Sequence, residues 1–218
     1  ADQPLAGHLV AGFLALAGVL LVGALRTGEA RLDGWFSPLF ALSAVLCALL
    51  AMRTFAEEER TGSLELLLTA PLRPWQVVLG KLTGTVAVFA AAVAATVTAP
   101  VLVATMGNPD LGPVVTGYAG WLLLGVAYCA VGVAASTATA SQLAAGAATA
   151  GLLLGLWFSD AVTDGMNGTV GRILAYGSPG NHVDGFLRGT IAAADVVYFV
   201  SMTVLAGAVA ATILRARR

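Results

Sequence analysis

The sequence predicts an all-α fold, a polytopic membrane protein with six spanning helices in a single domain over residues 1–218. Three observations carry this. The first is composition. Hydrophobic residues make up 58% of the chain and charged residues 11%, where a soluble domain carries roughly 25% charge. So few charges cannot cover a water-facing surface, and the mean hydropathy of +0.88 agrees. The second is the length of the uncharged runs, which reach the ~20 residues a helix needs to cross a bilayer. The third is the grouping of arginine and lysine in alternate loops. The composition also excludes classes. There is no basic patch, so no nucleic-acid partner is expected. Cys47 and Cys129 lie inside apolar runs, and no CxxC or His/Cys spacing exists. They read as small hydrophobes, not as metal ligands or a disulfide.

The elements follow in order. Leu5–Leu25 is free of charge and forms span one; no basic residue precedes it, so it reads as a span and not as a signal peptide. Trp35–Met52 forms span two, and Leu82–Thr105 forms span three. Leu111–Ser159 carries no charge, too long for one helix and right for two. The polar cluster STATASQ, Ser136–Gln142, should hold the turn between span four, 114–135, and span five, 142–159. Val196–Leu214 closes as span six. An even count puts both termini on one side.

Arginine and lysine near the span ends fix that side. Arg53, Arg60, Arg73 and Lys81 lie between spans two and three, and Arg215, Arg217 and Arg218 follow span six. The opposite loops hold Arg26, Arg31, Arg172 and Arg188 among a surplus of acids: Glu29, Asp33, Asp110, Asp160, Asp164, Asp184 and Asp195. Both termini are therefore expected in the cytoplasm, with the chain in the cytoplasmic membrane.

The segment between spans two and three, FAEEERTGSLELLLTAPLRPWQVVLGK (Phe55–Lys81), is the most polar part of the chain. Glu57–Leu68 is rich in helix formers, and Glu57 and Arg60 can pair at i,i+3. Pro71 ends that helix, and Pro74 suits the first turn of the next. Leu64, Leu66, Leu67 and Leu68 are too apolar for a purely solvated loop. The short helix fits the membrane surface or a groove on another protein. Surface helices favour lysine and arginine, so an acidic start is better suited to a basic groove on a cytoplasmic partner.

These residues carry a resemblance. MRTFAEEERTGSLELLLTAPLRPWQVVLGKLTG, with GNPDLGPVVTGYAGWLLLGVAYCAVGVAASTATASQ from Gly107 and NHVDGFLRGTIAAADVVYF from Asn181, resembles the ABC-2 type permeases. These are membrane subunits of ATP-binding-cassette exporters, and the likeness is closest to the gliding-motility-type branch. It implies a second permease copy, a homodimer or a paralogue, around a central path. It also implies a cytoplasmic ATPase subunit that binds the ATP and Mg, so that this chain carries no cofactor and no enzyme activity. The segment after span two would be the coupling helix, seated in a cleft of the ATPase. Glu57, Glu58, Glu59, Arg60, Gly62 and Glu65 would be its coupling residues. Family members usually begin with an amphipathic helix before span one. Only ADQP precedes it here, so that element is expected to be missing or removed.

Other motifs weigh less. Lys81 in LGKLT lacks the first glycine and the Ser/Thr of a phosphate loop, with Trp75 and Leu82 in those places. Asp160 and Asp164 share a helical face, as in membrane phosphoalcohol transferases, but the spacing is one residue too long for the D-x-x-D-G of that family. Ser178 and His182 lie in one Gly/Pro/Asn-rich loop with no nucleophile elbow, which disfavours a protease. His8 reads as a boundary residue and Asp110, in GNPDLG, as an exposed turn. The longer stretch Asp160–Asp195 contains VGRILAYG and should dip into the outer interface as one or two short helices. Gly120, Gly125, Gly132, Gly146, Gly151 and Gly155 should allow close helix contact. No span carries a buried ionisable residue that would mark an ion path, which favours a lipidic, hydrophobic or large amphipathic cargo, or a mechanical role with no freely diffusing cargo. An anchor for an ATPase motor, without transport, is the alternative from another class.

Overall fold

The structure, a computed structural model, describes residues 3–26, 33–62, 72–106, 110–163 and 168–217. Among them every regular element is helical: α1 (Gln3–Arg26), α2 (Asp33–Ala51), α3 (Ala56–Thr61), α4 (Pro74–Ala95), α5 (Thr98–Met106), α6 (Leu111–Ala138), α7 (Gln142–Trp157), α8 (Ser159–Thr163), α9 (Thr169–Gly177), α10 (Pro179–Leu187) and α11 (Ala193–Ala216). Helix α6, 28 residues and about 42 Å long, is the axis; α2, α4, α7, α10 and α11 all pack against it. Helices α1 and α11 bury little of their surface and turn Leu16, Val19 and Val22, and Val197, Val204 and Leu205, outward. Apolar residues all round and few buried contacts are what a helix beside lipid shows.

The spans differ from expectation in four places. Among the described residues five helical stretches are long and apolar enough to cross a membrane: Ala6–Arg26, Gly34–Ala51, Pro74–Thr105, Leu111–Ala138 and Ala193–Ala216. The fifth expected span, 142–159, is the 16-residue α7, apolar but shorter. The third expected span, 82–105, begins earlier, at Pro74, where the Gln76 side chain accepts from the Arg73 N–H at 2.9 Å. That span is broken at Thr96–Val97, because Pro100 has no N–H for the Thr96 carbonyl and its ring crowds that group. Thr96 and Val97 instead donate to Val93 and Ala94 at 3.0 and 3.1 Å, tightening the chain into i,i+3 bonds. The turn expected over Ser136–Gln142 is confined to 139–141. There Ser141 caps α7 by accepting from the Ala144 N–H at 3.3 Å.

Helix contacts in the centre depend on missing side chains. A Cβ on Gly125 would lie 1.9 Å from Phe89 Cε1, one on Gly120 2.7 Å from Phe186 Cγ, and one on Gly132 2.5 Å from the Ala51 methyl. Phe89 and Phe186 therefore fill the space these glycines leave open. Gly151 and Gly155 differ from expectation, since nothing lies within 4 Å of their Cβ positions. Toward the end of the bundle away from α3, Trp35, Phe36, Phe40, Tyr118 and Trp121 form one aromatic cluster, with centroids 5.1–6.1 Å apart. Its buried polar atoms are satisfied: Trp121 Nε1 donates to Ser43 Oγ at 2.7 Å, and Trp35 Nε1 to the Ala17 carbonyl at 2.9 Å.

Between α7 and α11 the described residues form three short helices, α8, α9 and α10, where one or two were expected. Helix α10 is fixed to α6: the Thr116 hydroxyl donates to the Phe186 carbonyl at 2.6 Å. Helix α9 turns Val170, Ile173 and Tyr176 outward, each more than 60% exposed, so it offers an apolar surface that no described element covers.

Candidate functional site

The acidic run Glu57–Glu59 lies on α3, and the seating of α3 begins in the backbone. The turn Met52–Phe55 follows α2, and Ala56 opens the new helix. A helix start leaves its first N–H groups without partners, and Phe55 has no side chain to supply one. The acceptor comes from 81 residues away. Ser136 Oγ, wholly buried in the last turns of α6, receives both the Phe55 and the Ala56 N–H at 3.0 Å. Its own hydroxyl donates to the Met52 carbonyl at 3.2 Å. One side chain thus holds the turn after α2, the start of α3 and the end of α6.

The acids complete the attachment. Glu58 pairs with Lys81, on the second turn of α4, and the Lys81 Nζ lies 5.6 Å from the centroid of the Phe55 ring. Glu59 Oε2 lies 2.6 Å from Arg217 Nη1, at the end of α11. All four side chains are about one-quarter exposed (26–28%), so solvent screens each pair, and each contributes at most about 1 kcal/mol. Their role is direction: α3 is tied to α4 on one side and α11 on the other. Ala6, at the start of α1, also lines the cleft beside Lys81. The start of α1 and the end of α11 therefore meet at the end of the bundle that carries α3.

Of the six residues expected to couple to a partner, Glu58 and Glu59 are brought together with cations of their own chain. Glu57 and Arg60 lie on α3, but their side chains, and with them the expected Glu57–Arg60 pair, fall outside the described set. Glu65 lies outside the described residues altogether. Gly62 corrects the expected helix Glu57–Leu68: it stands past the end of α3, at φ +75°, with its N–H on the Glu59 carbonyl at 3.2 Å. A glycine in the left-handed region is the usual helix stop, so Gly62 ends α3 and is not in its interior. Three residues of the site were not singled out. Ser136 was read as turn. In the sequence Arg217 stands as a side-determining charge, and Lys81 as such a charge and a rejected phosphate-loop lysine. Opposite signs in three separate segments of one face were the available signal, but the sequence does not say which acid meets which base.

The other polar residues have structural partners. Ser178 Oγ donates to the Trp157 carbonyl at 3.2 Å, and His182 is bound at both ring nitrogens, to Asp195 Oδ1 at 2.7 Å and to the Tyr176 carbonyl at 2.9 Å. His182 also stacks on Tyr198 at 3.9 Å. The serine and histidine therefore do not form a nucleophile and base. Asp160 accepts from the Ala161 N–H at 2.8 Å, and Asp164 lies outside the described residues. Asp110 is exposed, as expected, and caps α6 by accepting from the Gly112 N–H at 3.0 Å. Cys47 and Cys129 are free thiols, wholly buried, with sulfurs 3.5 Å apart.

Long apolar helices packed about the central α6, with a short acidic helix fixed at one end, define a multi-pass membrane protein. The chain matches the family described as ABC-2 family transporter protein over residues 10–213, and it belongs to that family. No curated protein matches it.

Proposed function

We propose that the chain is the permease subunit of an ABC-2 transporter of the cytoplasmic membrane, moving its substrate with ATP hydrolysed by a separate ATPase subunit that binds the ATP and Mg. The family match over nearly the whole chain carries this proposal. Two such permeases, identical or paralogous, would line the path, and the gliding-motility-type branch is the closest placement. The absence of Asp, Glu, Lys and Arg within the expected spans supports a lipidic, hydrophobic or large amphipathic substrate.

Chain direction supports six crossings. Helix α6 ends at the α3 end, where Ser136 sits, and α11 also ends there, where Arg217 meets Glu59. The chain must therefore return to the far end between them. Helix α7 does so antiparallel to α2, from Gly146 beside Met52 to Trp157 beside Phe40. Helix α7 alone is about 24 Å long, and α8 follows it directly. The arginine and lysine bias puts the α3 end in the cytoplasm. Helices α8–α10 would then help close the outer mouth, and α3 would be the coupling element, with Glu57, Glu58, Glu59, Arg60, Gly62 and Glu65 at or near the ATPase.

Two experiments test this. Expressed with its cognate ATPase subunit, the chain should retain that subunit on purification; alone it should show no nucleotide turnover. Turnover intrinsic to the chain would overturn the assignment. For orientation, single cysteines at Ala192 and at Leu72, both exposed, can be placed in a chain lacking Cys47 and Cys129. An impermeant thiol reagent on intact cells should label position 192 and spare position 72. The reverse pattern would invert the topology.

A further inference from the structure

Beside α3 a cleft of about 490 Å³ opens between the end of α2, the start of α4 and the first turn of α1. Its two halves differ in chemistry. Leu50 and Val88 line one part, and Arg53, Lys81 and Glu58 line the other. Gly80 and Gly84 supply a wall of α4, and nothing lies within 4 Å of where their Cβ atoms would be, so the space in front of them is open. Lys81 is neutralised by Glu58. Arg53 makes no ion pair among the described side chains, and its Nε is shut off from solvent without a hydrogen-bond partner. A guanidinium carries five N–H donors and no acceptor, and a buried donor left unpaired is costly. The described side chains of the cleft thus sum to one excess positive charge beside an apolar groove.

We propose that this cleft binds the phosphodiester headgroup of an anionic phospholipid, with Arg53 as its principal contact, Lys81 as a second cation and an acyl chain along Leu50 and Val88. The charge matches: one uncompensated cation meets one phosphodiester, and planar N–H donors suit phosphate oxygens. The shape matches as well, since a lipid is polar at one end and apolar at the other. Basic pockets between helices at a membrane interface are where such headgroups are held. The inference rests on the chain being a membrane protein and does not depend on ATP coupling. Because Glu58 and Lys81 also seat α3, a bound lipid would touch the attachment of the proposed coupling helix.

The test is native mass spectrometry of the intact chain, purified without ATPase from detergent holding equimolar phosphatidylglycerol and phosphatidylcholine. One phosphatidylglycerol should be retained per chain in preference to phosphatidylcholine. Arg53→Gln should lower that retention about tenfold. Gly84→Leu, which leaves every charge in place and fills the groove, should lower it similarly, while Arg188→Gln, in an exposed pair far from the cleft, should not. Thermal unfolding verifies that each variant is folded; if Arg53→Gln does not fold, Gly84→Leu decides. Equal retention of the two lipids by the wild type, or wild-type retention by the folded variants, overturns the proposal. Displacement of the lipid by millimolar inorganic phosphate also overturns it, in favour of a soluble phosphate ligand.

Discussion

Replacing Glu57, Glu58 and Glu59 together with lysine is expected to reduce co-purification of the ATPase subunit about tenfold or more, while the chain still inserts in the membrane. The structure sharpens the cause. Glu58 and Glu59 are held by Lys81 and Arg217 of the same chain, so reversal sets like charges against each other at two places. At about 4 Å that repulsion is about 1 kcal/mol in water and about 4 kcal/mol at the effective dielectric of a protein surface. Helix α3 would be pushed off its seat. A direct contact between the acids and a basic groove of the ATPase would add to the loss, since truncating one member of a desolvated interfacial pair costs about 2–5 kcal/mol. A charge swap separates the two causes. Glu58→Lys with Lys81→Glu rebuilds the internal pair but presents the wrong sign to a partner. Restored ATPase retention would mean that Glu58 works by seating α3; continued loss would mean that it touches the ATPase. Full, coupled retention by the inserted triple variant would remove α3 from the coupling site.

Ser136→Ala should be the most damaging single-atom deletion in the bundle, at about 3 kcal/mol. Two N–H groups at the start of α3, on buried Phe55 and Ala56, share the Ser136 oxygen, and a buried donor stranded by loss of its acceptor costs about 1–3 kcal/mol. The neighbouring Thr137 hydroxyl is already committed to the Ala134 carbonyl at 2.6 Å. Thermal unfolding in detergent, compared with Ser201→Ala on an exposed face of α11, measures the effect. A shift no larger than that of the Ser201 variant would show that the three-way bond does not matter.

Much of this fold is legible in the sequence because hydrocarbon demands uninterrupted apolar runs: α1, α2, α6 and α11 stand within a few residues of where composition puts them. What was not legible depends on partners far apart in the chain. Nothing near Ser136 marks it as the acceptor for Phe55, so it reads as one more polar residue in STATASQ. Pro100 was visible but was not read as a break, since a proline inside an apolar run is compatible with either a bent or an interrupted helix. Gly62 carried its signal locally, and the helix formers around it masked it. The acidic run was correctly placed as a short helix, but its acids are spent at least in part on their own chain, and sequence alone pointed them only outward.

The break at Thr96–Val97 makes α4 and α5 two rods with a joint. Pro100 never supplies the α-helical bond to the Thr96 carbonyl, so changing the angle there sacrifices no such bond. Thr96 keeps its hydroxyl on the Val93 carbonyl at 2.6 Å and touches the Tyr118 hydroxyl at 3.1 Å, anchoring the joint to α6. Lys81, gripped by Glu58, lies fifteen residues away along α4, about 22 Å. A pull on α3 therefore swings α4 about a joint that Thr96 and Tyr118 hold against the central helix, while α5, about 13 Å long, can keep its place: the joint takes up the motion as a change of angle and uncouples the two halves of the span.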